Sequence, residues 1–278
     1  MGSLRERILN TRLNAGQIAM FYLGQEGFLL KYADTYLLVD GYLTDFVDRN
    51  ASGEVEWKRL YDTPIDPSEL DFVDYVFCSH PHADHADPDT IRGICEASEK
   101  AVFLGPESVL EVYRAAGVPA DRMKKLSCDQ KIELCNRICV TAIPAAHEEL
   151  HPTGEKGQFV EVGYLIECEG IRLFHSGDCC MYEGLEERIM ECDVLLLPIN
   201  GRDHYRRYVQ DIIGNFDCRE AITLAKRTNA GMLIPMHFDL YEVNELNPAV
   251  FVDWQRRLAP ELPYHIFVPG ERYIFAKN

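Results

Sequence analysis

Ser79-His80-Pro81-His82-Ala83-Asp84-His85 follows directly on the apolar run Tyr75-Val76-Phe77-Cys78 and crowds three imidazoles and a carboxylate into positions 80–85. Neutral imidazole and ionised carboxylate are ligands for Zn2+, Mn2+ or Fe, at about 2.0–2.2 Å for zinc. A loop, unlike a helix or a strand, can turn alternate residues to two neighbouring ions. The plain alternative is a solvent-exposed His-rich turn, and the close packing of the candidate ligands weighs against it. Asp87 and Pro88 then read as an N-cap and a proline at the first helical position, so the loop is held between a strand end and a helix start.

Working outward, four more segments share one layout, an apolar strand followed at once by a potential ligand. Leu37-Leu38-Val39 precedes Asp40, Ile143-Pro144-Ala145-Ala146 precedes His147, Leu173-Phe174-His175-Ser176-Gly177 precedes Asp178, and Leu233-Ile234-Pro235-Met236 precedes His237. Singly, each has a bland reading: a hydrogen-bonded rim histidine, a turn aspartate, an Asx-turn residue. Together with positions 80–85 they supply the complement that two ions would require.

Around these motifs, strands are expected at Ala19 to Leu23, Phe28 to Tyr32 and Tyr36 to Val39 as an antiparallel meander. Further strands are read at Val102 to Leu104, Ile138 to Ile143, Gly163 to Glu167, Ile171 to Phe174, Val194 to Leu197, Met232 to Ile234, Ile266 to Val268 and Tyr273 to Phe275. Helices are expected over Pro106 to Ala116, Tyr182 to Glu191 and Cys218 to Arg227, with another opening at Asn247-Pro248. This mixture fits a layered α/β arrangement. No repeat or long linker divides the chain, and residues 1–278 read as one domain.

Hydrophobic residues make up 47% and charged residues 26%, ordinary globular usage that excludes disordered and fibrous classes. No apolar run approaches the ~20 residues that cross a bilayer. The segment Met1 to Asn14 alternates Leu with Arg and Glu, unlike a secretory signal, so a cytoplasmic protein is expected. The ten cysteines are scattered without metal-type spacing and read as reduced, mostly buried thiols. Cys179 and Cys180 follow Asp178, yet burial is the simpler reading than ligation.

The formal net charge of -17 argues against a sequence-independent hold on nucleic acid. A small anionic substrate would need a local cluster of cations, and Arg202, Arg206 and Arg207 form the densest one. Guanidinium forks match phosphate oxygens, with Arg202 the preferred member; ordinary surface arginines at a helix start explain the cluster equally well. Asn200 and Asn215 are candidates for orienting substrate, with turn roles as the alternative. His204 stands in the same polar loop, either at the mouth of the site or as a surface histidine.

The order Asp, His-x-His-x-Asp-His, His, Asp, His, running from Asp40 to His237, resembles the five motifs of the metallo-β-lactamase superfamily. The resemblance covers about Met20 to His237. It implies a four-layer αββα sandwich, two mixed sheets flanked by helices. It also implies that His80, His82 and His147 hold one divalent ion, that Asp84, His85 and His237 hold the other, that Asp178 bridges them, and that Asp40 orients the loop.

A narrower resemblance is to the L-ascorbate-6-phosphate lactonase (UlaG-like) branch. It rests on Leu23-Gly24-Gln25-Glu26-Gly27-Phe28, Asp40-Gly41-Tyr42-Leu43-Thr44-Asp45, Ala145-Ala146-His147-Glu148, His175-Ser176-Gly177-Asp178, Leu197-Pro198-Ile199-Asn200-Gly201-Arg202 and Ile234-Pro235-Met236-His237-Phe238-Asp239. That branch implies a hydrolase opening a phosphorylated sugar lactone such as L-ascorbate 6-phosphate by hydroxide generated at the metal pair. Asp84 or a nearby imidazole such as His204 would carry the proton to the leaving alkoxide. The lactonase itself is longer, and members of the branch are not all lactonases. Two other readings stay open: a phosphodiesterase or nuclease of the same superfamily, and a non-catalytic metal-binding protein. Resemblance to the lactonase favours Mn2+, the wider superfamily favours Zn2+, and Fe suits the same donors. Self-association is left open.

Overall fold

Successive residues of a strand face opposite sides of its sheet, so a strand covered on both faces must be apolar throughout. The computed structural model describes residues 2–53, 55–135, 137–154 and 156–277. Met1, Glu54, Asn136, Glu155 and Asn278, which the one-domain reading includes, lie outside the described residues.

The first sheet contains Gln17–Gly24 (β1), Gly27–Tyr32 (β2), Thr35–Val39 (β3), Tyr75–Phe77 (β4), Val102–Gly105 (β5), Met123–Lys125 (β6) and, from much later in the sequence, Arg272–Ala276, which pairs with β1. The second contains Lys131–Glu133 (β7), Ile138–Pro144 (β8), Val162–Cys168 (β9), Ile171–His175 (β10), Val194–Pro198 (β11) and Leu233–Met236 (β12), in the order β12-β11-β10-β9-β8-β7. Arg272–Ala276 is β13. Both sheets are mixed: β1, β2 and β3 form the expected meander, whereas β3, β4, β5 and β6 run parallel. β8 and β10 are each antiparallel to β9, and β10, β11 and β12 are parallel.

The alternation sorts neighbouring residues into different layers. Leu37, Val39, Phe77 and Leu104 meet Val140, Tyr164, Leu173, Leu196 and Ile234 in the core between the sheets. Leu38, Val76 and Phe103 face outward against Leu4–Asn10 (α1), Pro88–Ala97 (α3) and Glu107–Ala115 (α4). Phe174, Leu195 and Leu197 face outward against Leu185–Ile189 (α5), Cys218–Arg227 (α7) and Pro248–Leu258 (α8). Burying each such aliphatic or aromatic side chain contributes roughly 1.5–3 kcal/mol. The result is the four-layer αββα sandwich. Two short helices, Phe46–Asn50 (α2) and His204–Tyr208 (α6), bury none of their residues.

Asp87 accepts from Asp89 N at 2.9 Å with Pro88 opening α3, and Asn247 caps α8 in the same way, both as expected. Two expectations are corrected. The helix read over Tyr182 to Glu191 contains only α5, because Gly184 at its N-cap has φ 93°, outside helical space. Ile266 to Val268 is not a strand: its ladder stops at the single Leu233–Tyr264 bridge, and the Val268 amide donates to the Glu271 carboxylate instead of a neighbouring strand. Among the described residues no helix is long and apolar enough to cross a membrane.

Candidate metal centre

The strands β3, β4, β8, β10 and β12 all deliver a candidate ligand just beyond their last residues, and the two rims face each other. Asp40, the residue after β3, adopts φ 45° and turns its carboxylate back into the protein. There Oδ1 accepts from Ser79 N at 2.7 Å, while Oδ2 accepts from Ser79 Oγ at 2.6 Å and faces His85 Nδ1 at 3.1 Å. Ser79 Oγ, having donated to Asp40, accepts from His80 Nδ1 at 2.9 Å, which leaves His80 Nε2 as the acceptor nitrogen, 2.9 Å from His82 Nδ1. Asp40 thus fixes the start and end of the loop and the orientation of two rings.

On the second sheet, Gly177 brings the Asp178 loop against Ser79. Its φ is 59°, and a Cβ there would lie 2.7 Å from Ser79 Cβ and 2.9 Å from Val162 O, so only glycine allows the approach. His237, with φ 56°, is tied to the β1–β2 turn by its amide, which donates to Gln25 O at 2.8 Å.

Two clusters of donor atoms result. His80, His82, His147 and Asp178 each offer an atom within 4.8 Å of the others, and so do Asp84, His85 and His237. Asp178 stands between them: Oδ2 is 3.8 Å from His80 Nε2, 3.4 Å from His147 Nε2 and 3.5 Å from His85 Nε2, while Oδ1 is 3.3 Å from His237 Nε2. The seven residues expected as ligands therefore converge. Nearly all are buried; Asp84 and His82 open onto the cavity.

Electrostatics match the donor set. Burial opposes the charge on Asp178, yet His237, His85, His147 and His80 hold its carboxyl well below the usual range. Asp84 is likewise lowered, by His85 and His237 against burial. Burial keeps His80 and His147 neutral, His147 being lowered to about 4. Burial would do the same to His85, but Asp84, Asp178 and Asp40 raise it, so a positive charge is favoured where its Nε2 points. That Nε2 is buried and makes no hydrogen bond, as a metal-ligand atom would. The residues thus fit a pair of divalent cations.

A match to the Beta-lactamase superfamily domain spans residues 39–238, from the last residue of β3 to just beyond His237. The chain belongs to the beta-lactamase superfamily. It is 25% identical over 218 residues to a UPF0173 metal-dependent hydrolase of Caldivirga maquilingensis, covering 77% of this chain and 86% of that one. It is 22% identical over 286 residues to a probable L-ascorbate-6-phosphate lactonase UlaG of Salmonella choleraesuis, covering 91% and 79%. A metallo hydrolase from Ignicoccus hospitalis superposes with a TM-score of 0.68 at 19% identity, over 94% of this chain and 100% of that one.

The expected substrate-binding residues Asn200, Arg202, Arg206 and Asn215 lie against one another but do not line the cavity over the donor clusters. A cavity of about 390 Å3 opens over the donor clusters, lined by His82, Ala83, Asp84, His147, Asp178 and His237 together with Val47, Trp57, Asp211, Ile212, Ile213, Tyr241 and Asn244. Arg202 is absent from that wall, since both its terminal nitrogens pair with Glu220 at 2.6 and 2.7 Å. Arg206 pairs with Asp203 at 2.6 Å and donates to Asn200 O, and Arg207 pairs with Glu148 at 3.1 Å. His204 is exposed on the first turn of α6, its ring 4.7 Å from that of Tyr208. Asn200 is buried behind the wall and donates to Asn244 at 2.8 Å. Asn215 donates to Asp178 Oδ1 at 2.8 Å, so it steadies a carboxylate. Cys179 and Cys180 are buried thiols outside the donor clusters, and burial pushes Cys180 up to about 11.

The β1–β2 turn holds two residues that the sequence reading quoted without giving them a role. Gln25 Nε2 lies 2.8 Å from Asp84 Oδ2 and 3.1 Å from His237 Nε2. Glu26 is fully buried, and burial followed by the Asp178 charge holds its carboxyl well above the usual range. The available signal was a carboxyl beside Gln25 in the turn of a hairpin whose strands are almost wholly buried.

Proposed function

We propose that this chain is a metal-dependent hydrolase that opens a small lactone or carboxylic ester. The observation that carries the reading is Asp178, whose two oxygens face the imidazoles of both donor clusters. Divalent cations held there would supply a Lewis acid for the carbonyl oxygen and lower the pKa of water toward about 7.

The chain's own residues do the rest. Asp40 and Asn215 hold His85 and Asp178 in their orientations. Asp84 keeps its carboxyl ionised and lines the cavity, so it can take the proton of the attacking water and return it to the leaving alkoxide. Val47, Trp57, Ile212 and Ile213 offer an apolar surface to the body of the substrate and keep bulk water from the carbonyl.

Among the described residues none that lines the cavity is a lysine or arginine, and Arg202, Arg206 and Arg207 are paired with Glu220, Asp203 and Glu148. We therefore read the substrate body as uncharged and apolar, in place of a phosphorylated sugar. L-ascorbate 6-phosphate, the substrate in the name of the Salmonella relative, is the natural comparison. The test is elemental analysis of the purified protein, then a chelated-and-restored activity screen. Uncharged aryl and alkyl lactones, a phosphorylated lactone and bis-p-nitrophenyl phosphate are assayed side by side. Turnover of the uncharged lactones is expected. Turnover of the diester alone would replace this reading with a phosphodiesterase, and a metal-loaded but silent protein would remove catalysis altogether.

A further inference from the structure

The chemistry above leaves one buried acid unused. Glu26 lies in the turn between β1 and β2, has no exposed surface, and neither Oε1 nor Oε2 receives a hydrogen bond. A buried carboxyl whose oxygens have no hydrogen-bond partner has lost hydration that the fold does not return. His85 Nδ1 is 3.6 Å from Oε2, beyond hydrogen-bond reach, and is already 3.1 Å from Asp40 Oδ2. Glu26 does not line the cavity, so a substrate cannot supply the partner.

Its surroundings name a different partner. A Glu26 oxygen lies within 4.8 Å of donor atoms of Asp178 and His237, which themselves lie within that distance of each other. His237 belongs to the cluster with Asp84 and His85, and Asp178 faces both clusters. We propose that Glu26 is a ligand of the second cation, and that the pair is asymmetric: a nitrogen-rich position suited to Zn2+ beside an oxygen-rich one suited to Mn2+ or Fe2+.

The donor chemistry sets the difference. The first position has three imidazoles and one carboxylate. Around the second, His85, His237 and Asp84 converge as one group and Glu26, Asp178 and His237 as another, so two imidazoles and three carboxylates meet about His237. Four donors with mostly nitrogen match zinc, whereas a fifth donor and more oxygen favour a harder ion with a higher coordination number. Loading also exchanges the Gln25 amide hydrogen bonds to Asp84 and His237 for cation contacts.

This inference rests on the metal-dependent reading, and its test separates the two. Chelated wild-type protein and the Glu26→Gln variant are titrated with Mn2+ and with Zn2+ by calorimetry, and bound metal is counted by elemental analysis. Wild type is expected to take two equivalents. Glu26→Gln should keep the first Zn2+ equivalent and bind Mn2+ at the second position about 100-fold more weakly. Equal Mn2+ affinity in wild type and Glu26→Gln overturns the role of Glu26 and leaves the hydrolase reading standing. A wild-type protein that takes no metal overturns both. Should Glu26→Gln fail to fold, Glu26→Asp carries the test. Keeping the charge but withdrawing it by one methylene should weaken the second Mn2+ by about tenfold, and unchanged affinity defeats the proposal.

Discussion

Asn215 Nδ2 donates to Asp178 Oδ1 across 2.8 Å, with both residues buried. Replacing Asn215 by Ala leaves that oxygen free to swing toward the imidazoles. We expect metal affinity or kcat to fall about 10- to 100-fold with KM little changed, as for other groups that orient a ligand. A rise in KM alone would return Asn215 to the substrate-binding role read from sequence.

Asp178→Asn removes the charge shared by the two clusters. Bound metal, counted by elemental analysis, should drop below two equivalents, and activity should fall on the order of 10^3-fold or more. A variant that stays fully loaded and active would mean that Asp178 bridges nothing.

The cavity wall and the arginine cluster predict opposite kinetic outcomes. Trp57→Ala should lower kcat/KM for an apolar lactone by about tenfold or more through lost apolar contact. Arg202→Ala, which breaks a partly exposed pair with Glu220 and a hydrogen bond to Asn215 O, should leave it within about twofold. A large KM increase for a phosphorylated lactone in Arg202→Ala would reinstate phosphate binding.

Gly177→Ala forces a Cβ into Ser79 and the Val162 carbonyl at positive φ. Urea unfolding should show a loss of at least about 1–3 kcal/mol. A variant of wild-type stability would mean that the Asp178 loop can move away from Ser79 without cost.

Asp217 caps α7, accepting from Arg219 N at 2.8 Å and Glu220 N at 2.9 Å. Asp217→Ala should cost about 1 kcal/mol near neutral pH. Burial opposes its charge, but Arg219 and the cap amides outweigh that and lower its pKa. The stabilisation is therefore complete above the ordinary carboxylate value and is lost as pH falls through the lowered one. The gap between variant and wild type should narrow in unfolding curves at strongly acidic pH.

What could be read beforehand follows from how local the signal is. Asp40, His147, Asp178 and His237 each stand just past a strand of apolar residues, so chain order alone carried their position to one rim. Asp87-Pro88 is equally local, because a cap needs only neighbours. Arg202 was less legible for the opposite reason: sequence shows where cations are dense but not that Glu220, on the first turn of α7, pairs with one of them. Trp57 and Tyr241 reach the cavity from separate loops, and no periodicity announces that meeting. Glu26 looked like any polar turn residue between glycines; its isolation from donors exists only once the second sheet covers it.

The donors are divided by layer: Asp40 and positions 80–85 extend from the first sheet, whereas His147, Asp178 and His237 extend from the second. Any ion they share therefore rivets the two halves of the sandwich together at one rim. Resistance to unfolding should then follow the free concentration of that ion, and a cell short of it would lose the protein as well as its reaction.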